Sequence, residues 1–212
     1  MTIPIVVCTV GSRSLSVLQT SAKVYNPDVP LIIFEGFMGN FGDDYNAAMM
    51  QTFDWYDEII IANDDIVLTP NSYERLIEDV EFLKQSRKVG LVASRADFVR
   101  PNQSVLAGIP SEIVQTDVIS PLLCYVSKEC FDQVKFPPIN WFSDDVMCKD
   151  LSKLGYEHFV SRSYIHHVGS QTVGFDFQKL MDGPKEWIKT NRPDYYEEWY
   201  AYYSKGEAGI RW

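Results

Sequence analysis

Over the first 93 residues, strand-like and helix-like segments alternate, and few fold classes accommodate that order. Ile3 to Val10 is β-branched and apolar, and it stops at Gly11-Ser12, a turn with a helix-capping residue. Ser14 to Val24 carries Leu15, Leu18, Ala22 and Val24 at loosely helical spacing. Leu31 to Phe34 reads as a second strand, closed by Glu35-Gly36, and Asp43 to Phe53 as a helix. Glu58 to Ala62 is a third strand that runs straight into Asn63-Asp64-Asp65. Pro70-Asn71-Ser72 then opens a helix through Lys84, with Leu76, Ile77, Val80 and Leu83 on one face, and Val89 to Ala93 is a fourth strand. This βαβα order predicts an α/β fold with a mixed, mostly parallel sheet flanked by helices. Ligands of such sheets bind beyond the carboxyl ends of the strands. The ends here are Thr9-Val10-Gly11, Glu35-Gly36 and Asn63-Asp64-Asp65, expected to line one crevice.

Past Arg95 the pattern weakens. Residues 96–116 contain Pro101, Gly108 and Pro110 and suit a loop or a short hairpin. Val118 to Ser127 is a strand candidate, Lys128 to Val134 a short helix, and Asp144 to Leu154 a helix ending at Gly155. Tyr156 to Ile165 is a last strand leading into His166-His167-Val168-Gly169. The tail after Phe175 is rich in Trp and Tyr, which reads as packing with polar tips outward. The expected organisation is a nucleotide-binding catalytic domain over 1–172 and an aromatic extension over 173–212 packing on it.

Composition narrows the functional classes. The chain has 212 residues, 46% of them hydrophobic, with no apolar run near the roughly 20 residues of a membrane span. A formal charge of -10 disfavours nucleic acid and anionic lipid as partners. Cys8, Cys124, Cys130 and Cys148 form no Cys-x-x-Cys pair, and Met1 to Ile5 lacks a signal-peptide pattern, so a cytoplasmic location with reduced cysteines is expected.

Four groups of residues can carry chemistry. Asp64 and Asp65 put adjacent carboxylates at a strand end, where a divalent cation offsets their repulsion; Asp is also common in turns and at helix starts. Trp141-Phe142-Ser143-Asp144-Asp145 offers acids that favour a helix dipole or serve as a general base, behind an apolar wall for a sugar face. His166 and His167 cannot both point the same way on a strand, so at most one is a ligand, and Ser170-Gln171-Thr172 beyond Gly169 suits a loop closing over phosphate. Asn40-Phe41-Gly42-Asp43-Asp44-Tyr45-Asn46 allows close backbone approach to a ligand, or simply caps a helix.

Taken in order, these blocks resemble the GT-A nucleotide-sugar glycosyltransferases, in particular inverting family-two, rhamnosyltransferase-like enzymes. Asn40-x-Gly42-x-x-x-Asn46 is similar to the segment before that family's second helix. Asn63-Asp64-Asp65-Ile66 with Thr69-Pro70 is similar to its Asp-x-Asp-type metal motif. Phe142 to Val146 with Gly155-Tyr156 resembles its acidic motif, and Tyr164 to Ser170 its histidine-containing strand end. The resemblance implies a GT-A, Rossmann-like fold and a Mn²⁺ or Mg²⁺ cofactor. It implies that Asp65 binds the metal with His166 or His167, His166 being favoured. Thr9, Glu35, Asn46, Asn63 and Asp64 are then expected to hold the donor, and Asp145, or else Asp144, to be the base. Met147 departs from the pattern, since the family usually has an acid there.

The expected activity is transfer of a sugar, with inversion, from a nucleoside-diphosphate sugar (a UDP-sugar) to a carbohydrate or other hydroxyl acceptor. A nucleotide-sugar-binding protein with weak or lost transfer activity is one alternative. A nucleotidyltransferase is another, although Thr9 to Arg13 holds little glycine for a triphosphate loop.

Overall fold

The computed structural model describes residues 2–11, 14–36, 39–105, 111–169 and 177–204. Ser12, the run 170–172 and the boundary at 172/173, all of which entered the sequence reading, lie outside the described residues. Eight strands form one sheet: β1 (Ile5–Thr9), β2 (Leu31–Glu35), β3 (Glu58–Ala62), β4 (Ile66–Leu68), β5 (Val89–Ala96), β6 (Val114–Thr116), β7 (Leu123–Ser127) and β8 (Glu157–His167). Their order is β2-β1-β3-β7-β5-β8-β4, with β6 also pairing β8. β1 runs parallel to β2 and β3, and β5 parallel to β8. β7 lies antiparallel between β3 and β5, while β4 and β6 run antiparallel to β8. Both parallel groups therefore point the same way, and Thr9, Glu35, Ala62, Ala96 and His167 all end at one edge. The sheet is mixed and mostly parallel, flanked by helices.

Continuous apolar strands such as Ile59-Ile60-Ile61 need cover on both faces. One face packs against α1 (Leu15–Tyr25) and α3 (Ser72–Lys84), through Leu18, Ala22, Leu76, Val80 and Leu83. The other packs against α2 (Phe41–Thr52), α4 (Lys128–Gln133) and α5 (Ser143–Lys153), through Ala48, Met49, Phe131, Met147 and Leu151. Gly155, at φ +83, ends α5 in the left-handed region where a side chain is strained. The structure adds β4, β6 and two terminal helices, α6 (Phe177–Asn191) and α7 (Pro193–Ser204), to the elements expected from the sequence.

Two features set the site's position. Only Asn63 to Asp65 separate β3 from β4, a reach of roughly 14 Å. Because β4 pairs Ile66 with His167 and Val67 with His166, the end of β8 must come to the tip of β3. The second feature is Gly42, where a β-carbon would sit 1.8 Å from the Pro137 carbonyl oxygen. α2 and the segment before α5 are thus in backbone contact, and Gly42 is required by packing rather than by a ligand.

His158 is buried, accepts the Leu91 N–H on Nδ1 at 3.0 Å, and so donates from Nε2 to the Cys148 carbonyl at 2.9 Å. Burial holds its basicity below the ordinary value of 6.5, against smaller upward pulls from Cys148 and Asp117. The unfolded chain protonates this ring at a pH where the folded chain does not. Its contribution is therefore complete above about 6.5 and is lost as the pH falls below that value. In a ring-nitrogen NMR titration, His158 is expected to show no inflection near 6.5. An ordinary titration there would remove this assignment.

Candidate active site

At the end of β1 the Thr9 hydroxyl donates to Asp64 Oδ2 at 2.5 Å and accepts the Gly11 N–H at 2.9 Å. The Gly36 N–H meets the Thr9 carbonyl at 2.5 Å, which brings the end of β2, with exposed Glu35, alongside. Asn63 ties β3 to the approach of β7 through its N–H and the Leu122 carbonyl, 3.0 Å. Thr9, Glu35, Asn63 and Asp64 therefore do share the β1–β2–β3 edge. Asn46 does not: its amide nitrogen donates to the Phe136 carbonyl at 2.8 Å, and its oxygen accepts the Phe136 N–H at 3.1 Å. It fastens the segment leading to α5. Burial pushes the Cys8 thiol up to about 12, with Asp44 and Asp64 adding to the rise, so Cys8 is neutral packing here.

The two adjacent acids face different ways. Asp64 turns to β1, whereas Asp65 turns to β8, where its Oδ1 lies 3.3 Å from His167 Nε2. The Asp65 carbonyl accepts the Val168 N–H at 2.8 Å, locking the turn to the end of β8. His167 Nδ1 contacts the Phe98 carbonyl. A carbonyl only accepts, so Nδ1 carries the proton, and Nε2 meets Asp65 either as a lone pair or as the second N–H of a cation. Burial pulls this ring's basicity down, but Asp65, the Phe98 carbonyl and Asp97 together lift it above the ordinary histidine value.

His166 lies on the other side of the strand. Its Nδ1 contacts Asp97 Oδ2, and Asp97 Oδ1 accepts the His167 N–H at 2.9 Å. Burial pushes Asp97 up, but these donors hold it below the usual carboxylate range. Of the two histidines, His167 is the one aimed at Asp65, although the resemblance favoured His166.

Asp144 and Asp145 sit in the first turn of α5, gripped by Arg100. Its Nη1 reaches Asp145 Oδ1 at 3.3 Å, and Nη2 reaches Asp145 Oδ2 at 3.0 Å and Asp144 Oδ2 at 2.8 Å. Nε donates to Ser120 Oγ at 2.7 Å. Burial pushes Asp144 up to about 7; Arg100 pulls it down and Asp145 pushes it further up. The three groups form one coupled unit whose protons belong to the pair of acids. Phe142, which the sequence offered as a sugar-facing wall, is buried against Trp199, and the more open Trp141 stays at the rim.

The residues that join these parts were not singled out in the sequence. Within four residues after β5, Asp97 orients the His166–His167 backbone, Phe98 fixes the His167 ring, and Arg100 holds the acids. They fall at the start of an irregular run, where no periodicity marks them. Among the described residues, no group of three or more His, Cys, Asp or Glu side chains gathers around one metal position. A cation placed between Asp65 and His167 would have two protein ligands, the remainder having to come from substrate or water.

No protein-family model matches this chain, and no curated protein does. Solved structures do match. A197 from STIV shares 11% identity at a TM-score of 0.56, over 81% of this chain and 87% of that one. The 1–349 portion of S. aureus TarS shares 12% identity at 0.58, over 92% of this chain and 74% of that one. The chain has a GT-A-like fold. At such identities the likeness is one of architecture. No helix among the described residues is long and apolar enough to cross a membrane.

Proposed function

We propose that this protein is a metal-dependent glycosyltransferase that takes a sugar from a nucleoside-diphosphate sugar, a UDP-sugar, and transfers it with inversion to an acceptor hydroxyl. The observation that carries this reading is the Asp65–His167 pair. With Nδ1 committed to Phe98, His167 presents Nε2 to a carboxylate oxygen 3.3 Å away, and two facing acceptors require a proton or a cation between them. Two cis ligands of one octahedral ion lie about 3 Å apart, so the spacing fits Mn²⁺ or Mg²⁺. A carboxylate with one imidazole suits Mn²⁺ the better of the two. Such an ion, when bound, offsets the charge that develops on the departing diphosphate.

The chain's own residues supply the rest. Thr9, Glu35, Asn63 and Asp64 line the edge where a nucleoside binds in this fold, with Asp64 oriented by the Thr9 hydroxyl. The Asp144–Asp145 pair takes the proton of the acceptor hydroxyl as it attacks the anomeric carbon. Burial lifts the pair's basicity above the ordinary carboxylate value, toward the range in which a general base works at neutral pH. Arg100 pulls the pair toward its anionic form and fixes its direction. The proton is released to solvent after the diphosphate leaves.

Calorimetry with UDP, with and without Mn²⁺, tests the metal role. In the native chain Mn²⁺ is expected to tighten UDP binding, and in Asp65→Asn that gain is expected to shrink about 10-fold or more with the fold intact. Equal Mn²⁺ effects in both proteins would sink the assignment. Release of UDP from UDP-sugars on adding hydroxyl acceptors then tests transfer.

A further inference from the structure

The segment before α5 is held on two sides. On one side, Asn46 pins Phe136, the Phe41 N–H donates to Asn140 Oδ1 at 2.8 Å, and Ser143 Oγ donates to the Pro137 carbonyl at 2.8 Å. On the other stand α6 and α7. Ile188, Tyr195 and Trp199 bury against Ile139, Phe142 and Val146. Three ion pairs flank this contact: Lys149 with Glu198 at 2.5 Å, Lys153 with Asp194 at 2.7 Å, and Arg192 with Asp150 at 2.6 Å.

Between the two lies Phe142, the residue just before α5, at φ 66 and ψ 7. A bulky side chain in the left-handed region is a real outlier and persists only where its surroundings over-determine it. Here the ring is buried and meets the Trp199 ring edge-on at 5.2 Å. Relaxing Phe142 to an ordinary backbone angle would swing the first turn of α5, which carries both acids, away from Arg100. Among the described residues, Asn71 alone shares a positive φ outside glycine, and Asn tolerates that region.

We infer that Trp199 is a positioning residue for the acid pair: by holding Phe142 in its left-handed conformation, the C-terminal helices set the direction of Asp144 and Asp145. The inference takes from the proposed function only that the pair must be held in place, and its test reads the pair directly, so it stands or falls apart from sugar transfer. Among the described residues, the charged and titratable groups facing the pair are Arg100, Tyr195, Cys148 and Cys124.

The test is a ¹³C carboxyl NMR titration of Asp144 and Asp145 in the full chain. Trp199→Ala lets Phe142 relax and draws the first turn of α5 away from Arg100, and the upper titration of the pair is expected to rise by about one pH unit. Trp199→Phe keeps an edge against Phe142 and is expected to restore the native curve. Circular dichroism establishes that each variant is folded. Should Trp199→Ala unfold, the surface double variant Asp194→Asn with Glu198→Gln loosens α7 from its exposed side. Losing two acids by itself lowers the pair's basicity, so a smaller shift upward is the expected sign of lost positioning. A folded Trp199→Ala whose curve superimposes on the native one, or moves downward as simple hydration would move it, overturns the inference. So does an unmoved or lowered curve in the double variant, should that variant be the one to decide.

Discussion

Replacing Arg100 with alanine is expected to lower the rate of sugar transfer by about 100-fold or more while leaving the donor affinity within a few-fold of native. The guanidinium holds both acids and Ser120. Without it, two neighbouring carboxylates in a largely buried turn face each other uncompensated, and one takes up a proton instead. Arg100 pulls Asp144 down against burial, so its loss raises the pair's basicity. The low-pH limb of the rate profile therefore moves to higher pH. Lysine does not restore the native rate, because a point charge cannot hold three oxygens on a planar fork. Single-turnover rates across pH 6 to 9 check both parts. An unchanged rate, or a limb displaced to lower pH, would remove Arg100 from the site.

What the sequence made legible, and what it hid, follows from how local each signal is. Strand ends are local: apolar runs stop at Thr9, Glu35 and Asp65, and these residues do meet at one sheet edge. The direction of a side chain within a turn is not local. Asp64 and Asp65 look like a joint clamp in the sequence, yet the turn sends one to Thr9 and the other to His167. Strand alternation does separate His166 from His167, but only the pairing with β4 decides which one meets Asp65. Asn46 sits in a segment shaped like a ligand loop, and a partner 90 residues away takes its amide. Arg100 and Asp97 carry no periodic signal because their roles exist only through residues 44 to 70 positions downstream. The tail's aromatics announced burial without announcing helices, and α6 forms with Pro184 inside it.

Asp79→Ala is expected to cost about 3 to 5 kcal/mol of stability, a large share of the 5 to 15 kcal/mol typical of a domain. Asp79 is fully buried in α3, at 0% exposure, and every contact it makes is to one short stretch of β8. It accepts Ser161 Oγ at 2.7 Å, the Arg162 N–H at 2.7 Å and Arg162 Nε at 2.7 Å, with Nη2 at 2.5 Å. That stretch falls where β8 slips register against β5, between the pairs Ala93–Val160 and Arg95–Tyr164. Ser163 fills the irregularity, bonded to Ser94 Oγ and to the Ser72 carbonyl. The slip advances β8 by two residues, which keeps its alternation but puts Ile165 beside Ala96 where the earlier register would put Ser163. Asp79 thus stabilises the fold at the slip that sets how far along β4 the two histidines lie. Removing it leaves Arg162 and two polar groups without their acceptor. Removing the guanidinium as well, in Asp79→Ala with Arg162→Met, is expected to recover about 1 kcal/mol or more relative to the single variant. Guanidinium unfolding of the three proteins measures this. A loss under about 1 kcal/mol in Asp79→Ala, or no recovery in the double variant, would mean that the slip is held by packing alone.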